Sequence, residues 1–265
     1  MKVVILAGGR GTRIGEESSL RPKPMIEIGG RPILWHIMKT YSHYGYHEFI
    51  ICCGYKGQMI KEYFTNYYVR QADSTFLLQN RQTVVHESNV EPWKVTLANT
   101  GLETLTAGRI LKVRDYIDGD EFFLTYGDGV SDVDINALRN FHHEKGLIAT
   151  ITTTQPAGRF GAIKIDPVTN QIESFKEKAR ADQAWVNAGF MVMSTKVFDY
   201  LGDGSTMLER EPFERLAEEQ QMAAYKHPGF WSPMDTMHDK GYLEELWSGG
   251  QAPWKIWDYK NEQTL

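Results

Sequence analysis

Gly8, Gly9 and Gly11 follow the apolar run Val3-Val4-Ile5-Leu6 almost at once, and Thr12, Arg13 and Lys23 come soon after. Glycine lacks the Cβ that keeps a ligand off the main chain, so such a loop presents bare N–H groups. A hydroxyl and two added cations make it a cradle for a polyphosphate. The plainer alternative is a tight turn with incidental cations. The crowding of glycines, hydroxyl and cations into one segment favours the cradle. Neither common phosphate motif fits: the dinucleotide fingerprint needs a third glycine where Ile14 stands, and no Gly-Lys-Ser/Thr is present.

A second group is Tyr126-Gly127-Asp128-Gly129, placed directly after an apolar run. A carboxylate between glycines at the carboxyl end of a strand can hold Mg²⁺, which takes one or two carboxylates plus phosphate oxygens and waters. Asp128 could equally be a turn aspartate bonding its own backbone. Asp235, in the aromatic, proline-containing segment 231–236, is the chosen second carboxylate; a helix N-cap is its alternative. Glu177 and Lys178, near Asn187-Ala188-Gly189, could grip a phosphorylated sugar or form an exposed ion pair. Thr100, Gly101 and Thr104 to Arg109 read as a loop entering a helix and suit a nucleobase or phosphate, with Arg109 pointing inward or capping. The eight histidines lack metal-ligand spacing, and His142-His143 read as a solvated helix face.

These groups sit at the ends of elements that alternate. Strands are predicted at 2–7, 49–53, 121–125 and 149–154, with helices at 32–44, 57–67 and 135–145. Beyond Pro156 the pattern predicts a hairpin of 161–166 with 171–177, then a strand at 185–194. A helix at 211–221, a strand at 222–227 and a late helix with an irregular end follow. The expected fold is α/β: a single doubly wound, mostly parallel but mixed sheet with helices on both faces and small β insertions. Ligands of such sheets bind beyond the carboxyl ends of the strands, where the glycine loop must lie. One domain is expected over 1–265, its 1–150 half nucleotide-binding. Residues 66–99, with an exposed-looking Glu91-Pro92-Trp93, read as a lid or a subunit contact.

A net charge of −5 argues against nucleic acid as a partner. The start of the chain has no signal-peptide pattern, and no run is apolar enough to span a bilayer. Cys52 and Cys53 would point to opposite faces of one strand, so they cannot pair. Together these readings point to the cytoplasm.

The Leu-Ala-Gly-Gly-x-Gly-Thr-Arg opening with Lys23-Pro24-Met25, the Gly127-Asp128-Gly129 motif and Glu177-Lys178 resemble the sugar-1-phosphate nucleotidylyltransferases over nearly the whole chain. Residues 30–38, 50–57, 91–93, 156–162 and 227–231 are similar to the cytidylyl-transferring branch of that family. The resemblance implies a Rossmann-like nucleotidyltransferase fold, CTP and α-D-glucose 1-phosphate as substrates, Mg²⁺ as cofactor and a homo-oligomer. It implies that Leu6, Ala7, Gly8, Gly9, Arg10, Gly11, Thr12, Arg13, Lys23, Thr100, Gly101, Thr104, Arg109 and Asp128 bind nucleotide, with Arg13 and Lys23 acting in catalysis. Tyr126, Gly127, Glu177, Lys178, Asn187 and Gly189 would take the sugar phosphate in the 151–265 half and beside it, and Asp128 and Asp235 the metal. Backbone carbonyls near Gly8–Gly11 would take the cytosine amino group while Arg109 donates to its acceptors. Two departures stand out: Ala179 where the family usually has proline, and His238 where relatives often carry arginine.

Overall fold

A computed structural model describes residues 1–86, 90–156, 162–165, 172–176 and 185–257. Its centre is a seven-stranded sheet in the order Met222–Lys226, Ala149–Thr154, Val186–Ser194, Glu121–Tyr126, Val3–Ala7, Glu48–Cys53, Lys94–Asn99. Only Val186–Ser194 runs antiparallel to its neighbours, so the sheet is mixed and mostly parallel. From Val3–Ala7 the chain winds outward through Glu48–Cys53 to Lys94–Asn99, then returns to Glu121–Tyr126 on the opposite side. That reversal opens a crevice beyond the carboxyl ends of Val3–Ala7 and Glu121–Tyr126.

Alternation along Val3–Ala7 explains why both faces are covered. Val3, Ile5 and Ala7 join one apolar core, and Val4 and Leu6 join the other. The Ile33–His43 helix packs into the first core and the Thr106–Lys112 helix into the second. Local signals set several boundaries. The Ile135–Lys145 helix starts after Asp134, whose side chain accepts from Ala137 N, and stops at Gly146 with φ 62°.

Several expectations need correction. The helix expected over 57–67 is two helices, Gly57–Thr65 and Tyr67–Gln71. Within 66–99, Lys94–Asn99 is a strand of the main sheet, and only Ser74–Leu77 with Gln82–Val85 forms a separate hairpin. Glu91 is not exposed: it accepts from Trp35 Nε1 at 3.0 Å and from the Tyr67 hydroxyl, with Lys39 Nζ 3.8 Å away. His142 is buried and bonds Thr150, because Ala149–Thr154 packs beneath that helix. Ala162–Ile165 and Ile172–Lys176 pair antiparallel as a hairpin, while its turn lies outside the described residues. Cys52 and Cys53 are buried free thiols. No helix among the described residues is long and apolar enough to cross a membrane.

The tryptophan-rich tail docks on its own chain. Trp254 and Trp257 are buried around His36 and Trp35, so they offer no free surface. His36 bonds Ile28 O through Nε2 at 2.9 Å, and its Nδ1 accepts from Trp254 Nε1. Both ring nitrogens are thereby satisfied in the neutral form, and a second proton would face the Trp254 donor. Burial, the largest cause, lowers the His36 pKa from 6.5 to about 4. A depressed folded-state pKa means stability that is complete above pH 6.5 and lost as pH falls towards 4, worth roughly 3 kcal/mol in all. Urea midpoints between pH 7 and 4.5 should therefore fall more steeply in the wild type than in His36→Gln; parallel curves would exclude this source.

Candidate functional site

A cleft of about 310 Å³ opens at the carboxyl rim where Val3–Ala7 meets Glu121–Tyr126. Its floor is the glycine loop, and its walls carry Thr12, Arg13, Lys23, Thr104, Arg109 and Asp128. The three glycines serve different needs. A Cβ on Gly8 would lie 2.2 Å from Arg109 Nη1, so Gly8 makes room for that side chain. Gly11 adopts φ +64°, which glycine takes without strain, and packs on Lys23 Cβ. Gly9 meets no heavy atom within 4 Å of a built Cβ and faces open space.

Lys23 is the hub of the site. Its turn, Lys23–Met25, is buried, with Pro22 before it and Pro24 within it fixing the backbone. Lys23 Nζ donates to Asp128 Oδ2 at 2.7 Å and to Asp235 Oδ1 at 2.5 Å. Arg13 Nη1 donates to Asp235 Oδ2 at 2.6 Å while most of its side chain remains exposed. Two carboxylates from distant parts of the chain thus converge on one cationic point, and two cations balance them. Asp128 is held by Met234 N, which donates to its carbonyl at 2.8 Å. The N-cap of the Met237–Ser248 helix is Thr236, with a capping box to Asp239. That cap leaves the Asp235 carboxylate free of backbone duty and available to the cluster.

Among the described residues, no three His, Cys, Asp or Glu side chains gather as metal ligands. The donor set still fits Mg²⁺. Hard carboxylate oxygens from Asp128 and Asp235 converge where an ammonium now sits, and such oxygens suit a hard divalent cation.

Arg109 works differently from the expected base reader. It is 4% exposed, and its guanidinium donates to Thr100 Oγ1, Gly101 O, Gly8 O and Leu102 O. The Gly8 carbonyl also accepts from Tyr55 N at 3.1 Å, so both of its lone pairs are occupied. That carbonyl cannot take a cytosine amino group. Thr100 and Gly101 hold Arg109 and stand outside the cleft lining, whereas Thr104 lines it. Burial pulls the Arg109 pKa below the usual arginine value. Among the described residues no carboxylate pairs with it, so its charge stands behind the glycine loop and attracts anions.

Among the residues expected to take the sugar phosphate, Gly189 at φ +84° lies against the Tyr126 ring, where a Cβ would come within 2.7 Å. Asn187 Nδ2 donates to the Tyr126 hydroxyl at 3.4 Å, and its Oδ1 accepts from Gly189 N at 2.8 Å. Glu177, Lys178 and Ala179 lie outside the described residues. Arg10 pairs with Glu103 at the surface and stays outside the cleft lining. His238 is exposed at the start of the Met237–Ser248 helix. Leu105 and Thr106 fall inside the expected 104–109 loop, whereas Met207 and Glu209 belong to no segment the sequence pointed to. The first three line the cleft, and Glu209 bridges the Tyr126 hydroxyl and Thr106 Oγ1. Nothing local in the sequence marks Glu209 among the acids.

The family model described as "Nucleotidyl transferase" matches residues 2–251. The chain is 53% identical to proteins described as glucose-1-phosphate cytidylyltransferase from Salmonella typhi and from Salmonella typhimurium, over 97% of this chain and 100% of theirs. In fold it is similar to UDP-glucose pyrophosphorylase solved with UDP-glucose, with TM-score 0.67, 14% identity, and coverage of 94% of this chain and 98% of that one. The chain belongs to the nucleotidyl transferase family.

Proposed function

We propose that this chain transfers the cytidylyl group of CTP to α-D-glucose 1-phosphate, forming CDP-glucose and releasing pyrophosphate. The observation that carries the chemistry is Lys23 held between Asp128 and Asp235 beside the glycine loop. The choice of CTP and glucose 1-phosphate is supported by the 53% identity along nearly the whole chain. In this reading residues 1–150 serve the nucleotide, and 151–265 serve the sugar phosphate with Tyr126, Gly127, Glu177, Lys178, Asn187 and Gly189.

The sugar phosphate is an anionic nucleophile at neutral pH, so no general base is needed. It attacks the α-phosphorus in line with the leaving pyrophosphate. The protein brings two polyanions together and neutralises their charge. Asp128 and Asp235 would hold Mg²⁺, which, when bound, neutralises phosphate oxygens and aligns them. Lys23 Nζ and the exposed Arg13 guanidinium then exchange carboxylates for phosphate oxygens, so substrate replaces an existing charge balance. The amides from Gly8 to Thr12 receive the phosphates over Gly9, and the Arg109 charge supports them from behind.

Two buried free thiols suit a reducing cytoplasm. Self-association is part of the same proposal: Phe76, Leu77 and Leu78 project from the Ser74–Leu77/Gln82–Val85 hairpin as exposed apolar side chains.

Pyrophosphate release with CTP, UTP, dTTP, GTP and ATP in turn, each with glucose 1-phosphate, tests the base. CTP should lead by at least ~10²-fold, because a buried site paired to one base edge leaves groups unpaired with another. Equal turnover of UTP and CTP overturns the cytidylyl assignment and leaves a broader pyrimidine transferase.

A further inference from the structure

The two acidic residues of the cluster are neighbours only because a short ladder joins their segments. Gly129–Ser131 follows Asp128 directly, Trp231–Pro233 ends two residues before Asp235, and the strands pair antiparallel with Gly129 opposite Pro233. The cluster end of this ladder is closed by Met234 N on Asp128 O. Its other end is closed by a half-buried polar knot. His227 Nε2 lies 2.8 Å from Asp132 Oδ1 and 3.2 Å from Phe230 O. Neither of these oxygens can donate, so Nε2 carries the proton. Asp132 Oδ1 also accepts from Phe230 N at 2.7 Å, and Asp132 N donates back to Phe230 O.

The knot is tied to the main sheet. His227 follows the edge strand Met222–Lys226, and its N–H donates to Thr153 O at 2.8 Å. Gly229 is shaped to it: a Cβ there would lie 2.5 Å from Asp132 Oδ1 and 2.6 Å from His227 Cε1. Trp231 Nε1 donates to Ala188 O at 2.7 Å, which joins the ladder to the Val186–Ser194 strand.

We infer that His227 and Asp132 are positioning residues that set the separation of the Asp128 and Asp235 carboxylates, and so tune the affinity of that pair for a divalent cation. The inference rests on the proposed metal role of the two carboxylates. The pair touches neither the cleft lining nor the cluster; it acts by fixing the register of the ladder between them. Groups that orient metal-binding side chains from behind typically change metal affinity 10–100-fold when removed.

The test is Mn²⁺ binding followed by electron paramagnetic resonance in the presence of CTP and without sugar phosphate, so that no turnover is read. Asp132→Ala should weaken Mn²⁺ at least ~10-fold while CTP binding without metal stays within ~2-fold. Gly229→Ala, which forces the knot apart without removing a partner, should follow it. Asp132→Asn keeps an oxygen acceptor for His227 Nε2 and Phe230 N and should stay within ~3-fold of wild type. Asp132→Ala or Gly229→Ala proteins with wild-type Mn²⁺ affinity overturn the inference, and so does an equal loss of metal-free CTP binding. Asp235→Ala separates the two readings. If it abolishes Mn²⁺ binding while Asp132→Ala does not weaken it, the positioning role alone fails. If Asp235→Ala leaves Mn²⁺ unchanged, the metal site itself is wrong.

Discussion

Lys23→Ala should lower kcat by ~10²–10³, the range found when one preorganised transition-state donor is removed. Lys23 is buried and donates to both carboxylates of the cluster, whereas Arg13 reaches Asp235 alone. Its loss acts twice. In the free protein, Asp128 and Asp235 face one another with only Arg13 left to balance them. During transfer, one positive charge is missing where charge shifts from the α-phosphorus onto the departing pyrophosphate. The first effect supplies a readout independent of rate: Mg²⁺ should raise the Tm of Lys23→Ala more than that of wild type, because a cation is restored between two unbalanced carboxylates. Lys23→Arg should recover little activity, since the larger planar group must fit a buried point contact. An unchanged kcat in Lys23→Ala would remove Lys23 from the chemistry.

What the sequence made legible follows from how local each signal is. The Ala149–Thr154 strand and the Ile135–Lys145 helix begin and end as expected, because an aspartate and a glycine directly flank the helix and β-branched residues dominate the strand. Asp235 stands out in sequence because an acid in an aromatic, proline-containing stretch has few reasons to be there. The cluster with Lys23 and Asp128 is where the fold puts it. Trp254 and Trp257 are buried by a His36 and Trp35 surface built more than 200 positions earlier, of which the polar tail around them says nothing. Glu209 was illegible for the same reason: its partners, Tyr126 and Thr106, come from different elements. Arg109 was legible as a residue of the site but not in its direction, since Gly8, the carbonyl that orients it, lies in another strand-end loop.

That direction makes Arg109→Ala the most damaging single change expected for binding. The guanidinium ties Gly8 at the end of the first strand to Thr100, Gly101 and Leu102 at the end of the sheet's edge strand. Hydrogen bonds from a charged donor contribute about 1.5–3 kcal/mol each before competing terms are counted, and leaving buried acceptors unpaired adds a penalty. A net loss of about 3 kcal/mol is expected, within the upper range for point substitutions. The electrostatic effect is separate. With an effective dielectric near 20, a unit charge about 8 Å from a phosphate charge is worth ~2 kcal/mol, or roughly 30-fold in affinity. CTP binding measured calorimetrically without sugar phosphate should therefore weaken by at least ~10-fold in Arg109→Ala, at a temperature where the protein remains folded. Arg109→Lys keeps the charge but not the fork that spans four acceptors, so it should recover CTP affinity more than thermal stability. Wild-type stability and CTP affinity in Arg109→Ala would show that the glycine loop holds its shape and its charge without this residue. The phosphate cradle would then owe nothing to the buried guanidinium behind it.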